Sequence, residues 1–249
     1  MRSGLLLLAD SRLPSGGHGH SGGVEALVDR GLLRSEADLA AFLAGRIATG
    51  AAVPAGAAAA ACALAQCAAG WVGGADRLQQ GHRAAIPRAP QRDWTDWDHA
   101  VSVRLPAAAT RAASYAQGAA LLRTAARAWP SPAVDALRAL PRAHHPLVLG
   151  VVAAAAGATP SEAAALAVHH LVGGACTAAV RLLGLDPLAV AAVAAEAGRR
   201  AEPVVADAAQ SGVAAAAAGD PDLLPADGNP LFDVLAQLHR STEATLFAS

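Results

Sequence analysis

Apolar residues in this chain recur at helical spacing, and nowhere with the alternation of a half-buried strand. After Ser35, the residues Leu39, Phe42, Leu43 and Ile47 share one face. Ser35 and Asp38 form a capping-box pattern ahead of them, and Gly50 closes the element. Pro54 starts a further helix through an alanine run to about Gly70. Residues 84–106 mix Pro, Arg and Asp with Trp94 and Trp97, which predicts a connection holding one short helix. A long helix is predicted from about Pro106 to Ala128, stopped by Pro130. In the second half Thr159-Pro160-Ser161-Glu162 joins an N-cap threonine, a proline at N1 and a glutamate at N3; Asp186-Pro187 and Asn229-Pro230 are further starts. Gly157 and Gly184 stand where C-terminal caps belong, and 219–228 is a loop before the last helix. The expectation is an all-α, single-domain bundle of roughly ten helices over residues 1–249. It carries an N-terminal segment and Gly-rich loop (1–21) and a C-terminal tail (244–249).

Composition narrows the function. Aromatics are only 3%, so the core must be built from small side chains that let helices approach closely. A net charge of −1 gives no field favouring nucleic acid or an anionic membrane. The uncharged stretch from Ile47 to Ala75 meets the length rule for a membrane span, but it is mostly Ala and Gly, and Pro54 and Gln66 interrupt it. Leu5–Leu8 is too short for a secretory core and runs into Asp10 and Arg12. Cys62, Cys67 and Cys176 have no zinc spacing and read as small buried apolar residues in a reducing compartment. The expected location is cytoplasmic.

The richest local pattern is Leu13-Pro14-Ser15-Gly16-Gly17-His18-Gly19-His20-Ser21-Gly22-Gly23-Val24-Glu25. Its glycines mark a backbone path closed to bulkier residues. It is no phosphate loop, since no Lys-Ser or Lys-Thr ends it and the chain has no lysine. On the long helix, Arg111, Ser114, Gly118 and Leu121 share a face with Gln117 beside it; the small pair four apart suits a close crossing. Tyr115 is expected in the core.

These two patterns resemble signatures of the urease accessory protein UreF family. That family runs Leu-Pro-x-Gly-x-Phe-x-x-Ser-x-Gly-Leu-Glu near its N-terminus, with His18 here standing at the aromatic position. Its central signature is similar to Arg111-x-x-Ser114-x-x-x-Gly118 followed by Leu-Leu. Arg181-Leu182-Leu183-Gly184-Leu185 resembles the family's Arg-Leu-Ile-Pro-Leu in part, with Gly184 in the proline's place. The ending resembles His…Arg-Leu-Phe-Arg-Ser through His239, Leu246, Phe247 and Ser249, while Thr245 and Ala248 replace the two arginines. The resemblance implies a non-catalytic, all-α homodimer. It would bind UreD (also called UreH), recruit the GTPase UreG to apo-urease and serve nickel insertion. It implies partner-binding roles for Pro14, Gly16, His18, His20, Ser21, Gly23, Glu25, Arg111, Ser114, Gln117, Gly118, Arg181, His239, Leu246, Phe247 and Ser249.

Metal and enzyme readings are weaker. His18 and His20 could touch nickel in passing. The adjacent pairs His144-His145 and His169-His170 point about 100° apart if helical, so one ion cannot take both. No cysteine or carboxylate completes a ligand set, so no resident metal or cofactor is expected. His169 and His170 are expected to be hydrogen-bonded at a packed interface. The alternative function is an orphan helical enzyme using Asp93, Asp96 and Asp98 or the histidines. No serine is expected to lie in a Gly-x-Ser-x-Gly elbow, and Asp93–Asp98 more simply forms a solvated loop anchored by two rings.

Overall fold

The computed structural model describes residues 3–16, 20–68 and 93–240, the side chains of 239 and 240 excepted. Among the described residues there are eleven α-helices and no strand, so the all-α expectation holds. The helices are α1 (Ser3–Ala9), α2 (Val24–Asp29), α3 (Glu36–Gly50), α4 (Ala52–Ala68), α5 (Trp94–Val103) and α6 (Ala108–Ala128). After them come α7 (Pro132–Arg138), α8 (His145–Ala155), α9 (Pro160–Leu183), α10 (Pro187–Ala218) and α11 (Pro230–Arg240), with a 3₁₀ turn at Pro221–Leu223 before the last.

The start and stop signals act through the bonds expected of them. Ser35 and Thr159 accept the N3 backbone N–H, while Asp38 and Glu162 reach back to the cap N–H, so both capping boxes close. Asp186 and Asn229 each accept an N–H two residues on. Gly157 and Gly184 turn left-handed at φ +83° and +65°, as helix-ending glycines do. Residues 94–103 do form the one short helix predicted inside the connection.

Alanine-rich α4 is the central helix, packed by α8, α9 and α10. Its closeness to them rests on glycine. A Cβ at Gly150 would sit 2.2 Å from the Ala58 carbonyl oxygen, and one at Gly212 would sit 2.2 Å from that of Gly56. The crossings therefore bring backbone against backbone. Around α4 the core has two halves: Trp97, Leu121, Leu137 and Leu147 on the α5–α8 side, and Leu39, Leu43, Ile47 and Val168 on the α3, α9 and α10 side. The apolar stretch from Ile47 is not one rod, because α3 and α4 meet at 54°. Among the described residues one helix, α9, is long and apolar enough to cross a membrane, and more than half of its most apolar window is buried within the protein. Cys62 and Cys176 are buried, with thiols pushed up to about 12 and about 11 by desolvation. Cys67 departs from expectation: it stands exposed on the last turn of α4, past the crossing helices.

Candidate functional site

The N-terminal loop, the outer face of α6, the start of α8, the middle of α9 and α11 enclose a cleft of about 570 Å³. The loop is held onto α6. Thr124 Oγ1 donates to the Pro14 carbonyl at 2.7 Å, and Gly16, at φ +81°, passes so near that a Cβ would lie 2.9 Å from that of Ala120. Ser21 and Glu25 are buried, Gly23 (φ +99°) starts α2, and His20 lines the cleft. His18 lies outside the described residues.

Residues 19–23 do spell Gly-x-Ser-x-Gly, a match the sequence reading passed over. Among the described residues no strand precedes it, and the Ser21 hydroxyl is sealed from solvent. That is not the exposed nucleophile of a strand-to-helix elbow.

The α6 stripe is a crossing face, as its small residues suggest. A Cβ at Gly118 would come 2.1 Å from the Ala143 carbonyl oxygen. Arg111 donates Nη1 to the carbonyls of Leu105 and Pro106, at 2.6 Å each, and so fixes the turn into α6. Gln117 faces the cleft. Ser114 meets the segment entering α8: its Oγ accepts the His145 N–H at 3.2 Å and lies 3.0 Å from His144 Nδ1.

His144 is fully buried at the N-cap of α8 and belongs to a network that sequence reasoning missed. Its backbone N–H donates to Asp98 Oδ1 at 2.8 Å. Its Nε2 lies 2.8 Å from Ser102 Oγ, which lies 2.9 Å from the Tyr115 hydroxyl; that hydroxyl donates to Asp98 Oδ2 at 2.9 Å. One set of proton positions satisfies every member. Ser114 donates to Nδ1, Nε2–H donates to Ser102, Ser102 donates to Tyr115, and Tyr115 donates to the Asp98 carboxylate. Tyr115 stacks on His144 at 3.8 Å with Arg142 over its ring at 4.4 Å, so it is half-buried in a polar layer rather than in the apolar core. Burial first, then the positive charges of Arg142 and Arg111, lower the His144 pKa to about 3. Burial raises that of Asp98, and its two hydrogen bonds partly offset this.

These contacts correct the acidic-patch reading. Asp98 turns inward to His144 and Tyr115, while Asp93 and Asp96 stay exposed. The three carboxylates do not converge, because α5 is a helix and not a loop.

Adjacent histidines diverge as expected. His145 leaves the network and faces the cleft, its ring 5.8 Å from that of His170; burial, then His170 and His20, lower its pKa to about 3. His169 and His170 donate Nε2–H to the Ala9 and Leu8 carbonyls at 3.1 and 2.8 Å, tethering the end of α1. Burial lowers the pKa of His170. Among the described residues no three His, Cys, Asp or Glu side chains stand as a metal-holding group.

Arg181 is exposed in the last turn of α9, away from the cleft lining. His239 lies on α11 with its side chain outside the described residues, and Leu246, Phe247 and Ser249 lie outside them altogether. Sequence reasoning also missed Arg46, on the apolar face of α3 four residues after Phe42, and Phe232, whose ring meets Phe42 edge-on at 5.3 Å. A charge on an otherwise apolar stripe was the available signal.

The geometry defines an all-helical protein with a glycine-shaped loop held against a half-open cleft and a partly buried polar layer beside it. The UreF family model matches residues 33–198, and the chain belongs to that family. It is 40% identical over 245 residues to the urease accessory protein UreF of Mycolicibacterium vanbaalenii, covering 98% of this chain and 97% of the relative. Over the same span it is 42% identical to that of a Mycobacterium species (strain JLS) and 35% to that of Mycobacterium tuberculosis H37Ra.

Proposed function

We propose that this protein is a non-catalytic scaffold for nickel insertion into apo-urease, binding UreD and recruiting the GTPase UreG as a cytoplasmic homodimer. The observation that carries the reading is the match to proteins named urease accessory protein UreF along nearly the whole chain. Two features of the molecule support it. The described ends of the loop are placed by positive-φ glycines and by a hydrogen bond from α6, which suits a preformed contact surface. Helix α11 turns Leu231, Val234 and Leu238 outward at spacings of three and four, each close to half exposed or more. Such a stripe on an otherwise packed helix fits the groove of a partner. Leu246 and Phe247 follow this helix in the sequence. In this reading nickel is cargo passing between partners.

The test is co-purification. UreD and UreG expressed with this chain should be retained on it in a complex. Removal of residues 245–249 should weaken UreD retention about tenfold, corresponding to roughly 1.4 kcal/mol. A chain that retains neither protein would overturn the scaffold reading.

A further inference from the structure

We propose that the cleft binds a small monocarboxylate with an apolar body, whose carboxylate is received by the Arg46 guanidinium. Arg46 projects from α3 into the cleft wall. Its Cζ lies over the Phe232 ring, 5.2 Å from the centroid, and its Nη2 would be 3.6 Å from a Cβ at Gly22, so the loop glycine leaves it room. Its Nε is sealed from solvent and has no hydrogen-bond partner among the described residues. No hydrogen bond or ion pair from its Nη atoms to a described residue closes either. Asp233 on α11 is near enough to favour the charge, but its Oδ1 accepts the Ala107 N–H at 3.3 Å.

Arg46 is partly buried, and a guanidinium whose Nε is sealed without an acceptor is costly; a carboxylate is the group that matches its planar donor fork. Desolvation lowers the Arg46 pKa to about 10, so the cation persists at neutral pH. The rest of the lining selects what accompanies the carboxylate. Val53, Pro54, Val101, Leu105 and Leu171 supply apolar wall. Asp227 and Asp233 on the same rim disfavour a doubly charged phosphate. About 570 Å³ falls within the usual range for small-molecule sites. This inference does not rest on the scaffold reading: partner binding can fail while the cleft still binds, and the reverse.

The test uses the full chain labelled with ¹⁵N-arginine. The Arg46 Nε–H signal, identified by its loss in Arg46→Lys, is followed through titrations with acetate, hexanoate and inorganic phosphate at constant ionic strength. Hexanoate should move it saturably and bind several-fold tighter than acetate, while phosphate leaves it in place. Hexanoate should also raise the melting temperature of the wild type, and Arg46→Lys and Arg46→Gln should lose that rise. No saturable shift with hexanoate overturns the proposal, as does a rise in melting temperature that both variants share. If neither variant folds, the wild-type melting temperature decides: a saturable rise with hexanoate that phosphate does not give supports the proposal, and no such rise overturns it.

Discussion

His144 and His145 are neighbours in sequence, yet one caps a helix inside a polar network and the other faces a cleft. Both are held neutral, with pKa values near 3. A histidine whose folded pKa lies below its unfolded value lets the unfolded chain take the proton first as pH falls. The stability present above about pH 6.5 is therefore lost progressively toward pH 3, at up to about 1.4 kcal/mol per pH unit per histidine. Asp98, shifted upward, works in the opposite sense and softens the loss at the acid end. Urea denaturation should show the protein less stable by about 2 kcal/mol at pH 5.5 than at pH 7, allowing for both histidines. Equal stability at the two values would contradict the buried, neutral assignment. Glycine supplies a second residue-scale prediction. Gly118→Ala drives a methyl into the Ala143 carbonyl and should cost about 2 kcal/mol or more. Gly45→Ala on α3, with nothing within 4 Å, should add up to about 1 kcal/mol from helix propensity. Thermal melts of the two variants shifting in the same direction would refute the close crossing.

At the scale of elements, the helices were legible wherever a cap, a proline and an apolar face agreed. Thr159-Pro160-Ser161-Glu162 and Ser35 with Asp38 are the clearest cases, because a cap is a local bond between residues three apart. Helix α10 was legible only at its start. It runs 32 residues straight through Pro203, and no local rule foresees a helix continuing past a proline. The polar network was illegible for another reason: Asp98 and Tyr115 are 17 residues apart, and Asp98 and His144 are 46 apart, so only tertiary packing brings them together. On α11, Asp233 and Gln237 accept the Ala107 and Ala109 N–H groups at 3.3 and 3.4 Å and hold the helix against the start of α6. The side chains of its outward stripe are exposed on the other side of the helix. Val234→Asp with Leu238→Asp should leave the circular dichroism spectrum and melting temperature nearly unchanged. The same pair should weaken retention of UreD about tenfold. A variant that melts early would place the stripe in the fold and not at a partner.

At the scale of the whole molecule, glycine and alanine bring α4, α8 and α10 to backbone contact and leave the larger side chains to the two flanking cores. The loop, the cleft and α11 then lie along one continuous side of that frame. A molecule built this way presents surfaces, while its largest polar network is partly buried around the fully buried His144. The most direct test of the scaffold account is the nickel content of urease purified from a strain lacking this gene, grown at limiting nickel. The account predicts urease subunits present in normal amount but largely nickel-free and inactive, with nickel restored when the gene is returned. Urease carrying its full nickel complement without this protein would contradict it.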